Sequence, residues 1–181
     1  TPQRTVHFTG TVRLGNGDPE TVDGWVAGEA DGPELSAEQV YSFYFHGPAY
    51  QVVQQGWRSD GASVAVMAGD DLPDNHVPAD APLLTAPRLA ELCFQTAGLW
   101  QAGREDLLGL PMEVGRVSVL GDPSAGGLRA VMRQIGDGEY EGVVLDGDGG
   151  AVMYMGGYRT VALPAPIPDD VAADLHATYR D

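Results

Sequence analysis

Glu91 and Gln95 are the residues of this chain whose types and spacing suit acid–base chemistry. On a helix, side chains four positions apart stand one turn from each other on one face, so an amide there can hold a carboxylate. A carboxylate taken out of water is costly unless paired and holds its proton more tightly, as a general acid working near neutral pH must. The same spacing suits a partly exposed polar edge on which Glu91 pairs with Arg88, and spacing alone leaves both readings open. His46, followed by Gly47 and Pro48, suits either a base or a loop histidine whose ring satisfies backbone groups ahead of the proline. His7, His76 and His176 fall in an expected strand, an acidic loop and a terminal helix, where solvated roles are expected.

The element that must position Glu91 is the stretch from Leu83 to Trp100. Thr85 is placed to cap it, Pro87 suits a first turn, and Gly103 stands where a helix is expected to stop. Leu89, Leu92, Cys93, Thr96, Leu99 and Trp100 recur at helical spacing, and Ala90, Phe94 and Ala97 extend the apolar surface most of the way round. Such a helix is buried on more than one side, with Glu91 and Gln95 facing away from the main stripe.

Strands surround it. Val6 to Leu14 alternates as a strand ended by Gly15 to Pro19, and the run to Pro33 reads as a surface linker with a weak strand at Thr21–Ala27. Ser36 and Gln39 have capping-box spacing ahead of a short helix carrying Val40, Phe43 and Tyr44. Tyr50–Arg58 and Ala62–Ala68 form a hairpin through Ser59-Asp60-Gly61, and a loop from Gly69 to Pro82 leads into the long helix. Beyond it come strands at Met112–Leu120, Leu128–Ile135, Tyr140–Leu145 and Ala151–Ala162, then an extended exit at Pro164–Pro168 and a closing helix from Asp169, its cap, to Leu175. Trp57, Trp100 and Tyr50 are expected in the core, with one of them free to line a tunnel, and Tyr158 and Arg159 finish the last strand. One long helix wrapped by an antiparallel sheet is an α+β arrangement of the hotdog kind.

A chain of 181 residues holds one good core. Its net charge of −16 excludes the basic surface that nucleic acid or an anionic membrane needs, and no run approaches a membrane span. Every basic residue is arginine, which together with the abundance of Gly, Ala, Pro and Asp suits a GC-rich bacterial gene. The single cysteine, Cys93, falls on the buried stripe, so neither a disulfide framework nor a cysteine metal cluster is expected, and a cytoplasmic setting fits. There is no phosphate-binding glycine loop, no Gly-x-Ser-x-Gly elbow and no histidine pair at metal spacing; Asp146-Gly147-Asp148-Gly149 reads as a turn, not a calcium loop.

Three stretches point one way when taken in order. Phe45-His46-Gly47-Pro48-Ala49-Tyr50-Gln51, Ala86-Pro87-Arg88-Leu89-Ala90-Glu91-Leu92-Cys93-Phe94-Gln95 and Met155-Gly156-Gly157-Tyr158-Arg159-Thr160-Val161-Ala162-Leu163-Pro164 together resemble the carboxyl-terminal half of a polyketide synthase dehydratase domain. The family's first motif is Tyr-Gly-Pro-x-Phe, and its second is a helix opening on His-Pro that carries Asp with Gln or His four residues later. Here His46 replaces that Tyr, Ala86 that His and Glu91 that Asp, and the family's His-x-x-x-Gly-x-x-x-x-Pro motif is missing from the sequence.

The resemblance implies a double hotdog in which residues 1–34 close the preceding half and form a linker, while residues 35–181 form the carboxyl-terminal hotdog. It implies elimination of water from a β-hydroxyacyl thioester, with Glu91 as acid, Gln95 as its helper, His46, Gly47, Pro48 and Tyr50 near the acyl chain, and a base supplied by the other half. No metal or nucleotide cofactor is implied. The expected partners are an acyl carrier protein presenting its phosphopantetheine arm and the other domains of a synthase of secondary metabolites such as antibiotics. A second copy pairing through the Glu91 face or a sheet edge is also expected if this unit stands alone. Two alternatives share the scaffold: a module that keeps the fold for structure or acyl binding without catalysis, and another hotdog reaction such as product-template-type cyclisation or thioester hydrolysis.

Overall fold

The computed structural model describes residues 6, 9–14, 22–69, 72–79, 81, 83, 85–163 and 167–180. Its centre is the long helix, here α2 (Pro87–Glu105). The six stripe residues from Leu89 to Trp100 are all buried, and so is Ala97. The helix starts and stops later than its capping signals predict. Ala86, in a left-handed conformation (φ 43°), is the N-cap and makes no side-chain cap bond, while Pro87 takes the first turn as expected. Thr85 lies exposed one residue earlier. Gly103 is inside the helix because closing helix α3 (Asp169–Tyr179) packs there: a Cβ on Gly103 would lie 2.5 Å from Cβ of Tyr179. A glycine bought by close packing mimics a stop signal. The helix ends at Asp106, again left-handed (φ 56°), whose carboxylate bridges to His176 and Arg180 of α3's end.

Around α2 curls a seven-stranded sheet in the order β1-β2-β3-β5-β6-β7-β4, every pairing antiparallel. The strands are β1 (Leu35–Ser36), β2 (Val53–Ser59), β3 (Ala62–Met67), β4 (Gly109–Val119), β5 (Arg129–Gly136), β6 (Glu139–Leu145) and β7 (Ala151–Ala162). Asp60 and Gly61, both at positive φ, make the two-residue turn of the β2–β3 hairpin, whose primed geometry matches strand twist. Between β1 and β2 lie α1 (Ala37–Tyr41), with the capping box of Ser36 and Gln39 fully formed, and a short 3₁₀ turn (Pro48–Tyr50). Tyr50 is therefore in that turn and not in β2. The α+β arrangement read from the sequence is the one found, with α2 packed across most of the sheet.

Strand alternation divides the core in two. Ala65, Ala130, Met132 and Val144 face α2, while Val64, Val131, Val143 and Leu145 face the other way with Trp57. That second face is covered by the segment from Val22 to Ala30, which corrects its reading as a surface linker. Trp25 packs there beneath the Arg133 guanidinium (4.5 Å to the ring centroid), and Trp57 donates its indole N–H to the Gly28 carbonyl at 3.0 Å. Residues 22–27 form no strand, nor do residues 9–14, which lie exposed: among the described residues their alternation finds no neighbouring strand to pair with. His7, Phe8, residues 15–21 and residues 164–166 of the expected exit lie outside the described residues. Closing helix α3 runs on to Tyr179, well past Leu175, and Asp169 is its first residue, with Pro168 in the cap position.

Candidate functional site

The first turns of α2 and the turn after α1 meet at Glu91. Its Oε1 lies 2.9 Å from Nε2 of His46 and accepts a hydrogen bond from Nε2 of Gln95 at 3.0 Å. The His46 and Glu91 side chains are each 20 % exposed, so the carboxylate sits at the edge of the core with partners, where the sequence suggested either deep burial or solvent. Arg88 does not pair with Glu91. It donates instead to the Ala49 carbonyl (3.1 Å) and to the Pro73 carbonyl, tying the loops on either side to the start of the helix. Those carbonyls compete successfully for a guanidinium whose fork fits two acceptors.

Gln95 is buried and fully engaged. Its Nε2 donates to the Tyr50 carbonyl at 2.8 Å as well as to Glu91, and its Oε1 accepts from the Tyr41 hydroxyl at 2.8 Å. The Tyr41 oxygen in turn accepts the Val53 N–H at 2.7 Å. Burial, reinforced by the charge of Glu91 and opposed by the Val53 N–H, raises the Tyr41 hydroxyl well above the ordinary phenol range. Tyr44, also buried, donates to the Gln95 carbonyl at 2.8 Å and is raised for the same leading reason. Tyr158 lies in the core against Phe94 (centroids 4.7 Å apart), and burial, then Glu91, raises it too. These phenols stay protonated over any physiological range, and Tyr41 and Tyr44 donate.

The structure thus brings together Glu91, Gln95, His46 and the backbone of Tyr50. Gly47 caps the 3₁₀ turn and Pro48 begins it, both exposed. The Tyr50 hydroxyl receives the Asn75 amide at 3.4 Å, so this residue belongs to the site's edge and not to the core. Trp57 and Trp100 are core residues as expected, and Arg159 closes the last strand in an ion pair with Glu139 at 3.0 Å. His76 bonds Asn75 and the Ala81 carbonyl, each at 2.8 Å, and His176 bonds Asp106 at 2.5 Å; both organise structure where solvated roles were expected. Tyr41 was not singled out. Its signal was a tyrosine on the helix just ahead of His46-Gly47-Pro48, one position off the apolar stripe of that helix.

Among the described residues no group of His, Cys, Asp and Glu is placed to hold a metal ion, and no helix is long and apolar enough to cross a membrane. Chemically, the arrangement offers one carboxyl group that can give or take a proton, clamped by an amide and an imidazole.

Comparison with known proteins places the fold. Residues 20–170 match the family model described as "Polyketide synthase dehydratase N-terminal domain". No curated protein sequence matches the chain. Solved structures of the same fold include the dehydratase domain from the CurF module of the curacin polyketide synthase, 20 % identical with a TM-score of 0.56 over 72 % of this chain and 48 % of that one. The dehydratase domain of PpsC from Mycobacterium tuberculosis, solved with C12:1-CoA, is 21 % identical with a TM-score of 0.57, over 77 % of this chain and 56 % of that one. An inactive Asp-to-Asn mutant of the CurK dehydratase is 18 % identical with a TM-score of 0.58, over 73 % of this chain and 49 % of that one. The chain spans about half the length of these dehydratases.

Proposed function

Since the chain belongs to the polyketide synthase dehydratase family, we propose that it forms part of a dehydratase that eliminates water from a β-hydroxyacyl thioester carried on an acyl carrier protein. The observation that carries this reading is the Glu91–Gln95 pair on the buried helix, with Gln95 donating to the carboxylate at 3.0 Å. Glu91 gives its proton to the β-oxygen as the C–O bond breaks, so that the hydroxyl leaves as water. A base removes the proton on the α carbon, and that electron pair becomes the new double bond.

His46 is not that base in this reading. It touches Glu91 directly at 2.9 Å, and an acid and a base that work on adjacent substrate carbons need the substrate between them. The base comes from another part of the protein, which agrees with a chain about half the length of the solved dehydratases. An inactive His-to-Phe mutant of CurK is among those structures, as is the inactive Asp-to-Asn one. The matched family model carries the amino-terminal domain's name; we assign this chain to the carboxyl-terminal hotdog because its sequence has the helix-borne carboxylate and lacks the His-x-x-x-Gly-x-x-x-x-Pro motif. On this assignment residues 1–34 end the preceding half and lead into residues 35–181, with Val22 to Ala30 packed on the outer face of the sheet.

The substrate arrives on the phosphopantetheine arm of the carrier, beside His46, Gly47, Pro48 and Tyr50, and no metal or nucleotide takes part. Other synthase domains are the remaining partners. Taken alone, the unit pairs with a second copy through the Glu91 face or along edge strand β4, where Met112, Val117 and Val119 are exposed. A monodisperse monomer at high concentration by light scattering would rule out that pairing. The test of function is dehydration of a β-hydroxyacyl-pantetheine thioester by the full-length parent protein, compared with its Glu91→Gln variant. Formation of the α,β-unsaturated thioester by the parent and loss of most of that rate in the variant supports the acid role. Carrier binding without turnover in the parent would make this half a scaffold.

A further inference from the structure

The hydrogen-bond chain that ends on Glu91 has its direction set by backbone groups at both ends. The Val53 N–H can only donate, and it donates to the Tyr41 oxygen at 2.7 Å. The Tyr41 hydrogen therefore points onward, to Gln95 Oε1 at 2.8 Å. At the other end the Tyr50 carbonyl can only accept, and it takes a hydrogen from Gln95 Nε2 at 2.8 Å. The amide of Gln95 has one orientation that satisfies both neighbours, with its oxygen toward Tyr41 and its NH₂ toward Tyr50 and Glu91. Its second hydrogen then falls on Glu91 Oε1 at 3.0 Å. Turning the amide over would set its oxygen against the Tyr50 carbonyl and the Glu91 carboxylate, and its NH₂ against the Tyr41 hydrogen.

His46 approaches the same oxygen. Its Nε2 is 2.9 Å from Oε1, while Nδ1 is shut away from solvent with no hydrogen-bond partner among the described residues. The carboxylate oxygen opposite Nε2 accepts, which places the single ring hydrogen on Nε2, aims it at Glu91 and leaves Nδ1 bare. Oε1 thus faces two donors, and a carboxyl proton on it would meet both.

We propose that Tyr41 is a positioning residue that locks the Gln95 amide, so that Oε1 of Glu91 stays occupied and the transferable proton is carried on Oε2. The destination of that proton rests on the dehydratase reading; the locking of the amide does not. Tyr41 touches no substrate in this scheme and acts through Gln95 alone.

The experiment uses the full-length parent protein with Tyr41→Phe, Gln95→Leu and both together, read by kcat and KM for a β-hydroxyacyl-pantetheine thioester and by the side-chain ¹⁵N–¹H₂ resonances of Gln95. Tyr41→Phe is expected to lower kcat about tenfold with KM unmoved, the loss of one well-placed hydrogen bond in the transition state. In the Gln95→Leu background it should lower kcat no further, and in the single variant the Gln95 amide resonances should shift and broaden as the amide gains freedom to turn. Equal losses from Tyr41→Phe in both backgrounds would overturn the proposal, because Tyr41 would then act only by satisfying Val53. Unmoved Gln95 resonances would overturn it too. Should Tyr41→Phe fail to fold, 3-fluorotyrosine at position 41 keeps both bonds and makes the hydroxyl a stronger donor, which should shift the Gln95 amide resonances without broadening them; broadened resonances there would count against locking. A parent that dehydrates nothing would sink the dehydratase reading, while the Gln95 resonances still decide the role of Tyr41.

Discussion

Replacing Glu91 by aspartate restores the residue usual in the family, and the geometry says the change is harmful. Glu91 Oε1 lies 2.9 Å from His46 Nε2 and 3.0 Å from Gln95 Nε2, both near the optimum for a hydrogen bond. Removing one methylene withdraws the carboxyl by about 1.5 Å, the length of a carbon–carbon bond, which takes both contacts beyond hydrogen-bond range. A buried hydrogen bond contributes about 0.5–1.5 kcal/mol net. With the His46 and Glu91 side chains one-fifth exposed, solvent returns part of that, leaving a net loss of about 2 kcal/mol for the two bonds together. In a domain of this size that lowers Tm by about 4–8 °C. On the proposed dehydratase reading the carboxyl is also displaced by more than the distance that costs on the order of a hundredfold in rate. The assays are thermal denaturation and thioester dehydration by the full-length parent, with a companion variant carrying both Glu91→Asp and His46→Tyr. A phenol hydroxyl stands farther from its Cβ than imidazole Nε2 does, so the longer residue meets the shorter carboxylate and recovers stability and rate. Glu91→Asp alone matching the parent in both assays would refute the argument from reach.

Other residues give sharp expectations. Gly98→Ala should cost about 1–3 kcal/mol in urea denaturation, because its Cβ would fall 2.4 Å from the Tyr44 hydroxyl that bonds the Gln95 carbonyl. Cys93, fully buried and pushed up to about 12 by that burial, should resist alkylation by iodoacetamide at pH 8 and react at the rate of global unfolding. Asp106 is held below the usual carboxylate range by hydrogen bonds from His176 and then Arg180. A depressed acid adds stability that is present above its unfolded pKa and is lost as pH falls through the folded value, so acid titration below about pH 4 should release the α2–α3 tie. Asp106→Asn, which tolerates the left-handed backbone, should weaken that part of the acid-denaturation curve and leave stability at pH 7 only slightly lower, since the pair is exposed.

Much of the architecture was legible because it is local. The β2–β3 hairpin, its Asp60-Gly61 turn, the capping box at Ser36 and the buried stripe of α2 all follow from period, turn chemistry and caps within a few residues of each other. What failed depended on distant packing. Gly103 read as a stop because the sequence does not say that Tyr179, far along the chain, comes to rest on it. Residues 22–30 read as linker because their small and acidic residues hide a spaced set, Val22, Trp25 and Ala27, that covers Val64, Val131 and Val143 on the sheet's outer face.

The site divides along the same line. The i, i+4 relation of Glu91 and Gln95 is a property of any helix, so the pair was visible; which neighbours would complete it was not. An i, i+3 argument offers Arg88 to Glu91, yet the first turn of α2 leaves the carbonyls of Ala49 and Pro73 close by, and Arg88 serves both. That frees Glu91 for His46, whose loop is drawn against the helix by Gln95 binding the Tyr50 carbonyl. Tyr41 enters because α1 ends just where its hydroxyl can bridge Val53 and Gln95. Each contact depends on the one before it, so a substitution at any of these positions re-aims the carboxyl group and not merely its own side chain. Glutamate beside histidine here stands where the family's motifs carry aspartate and tyrosine, and the two changes compensate in reach: a longer acid side chain meets a shorter partner.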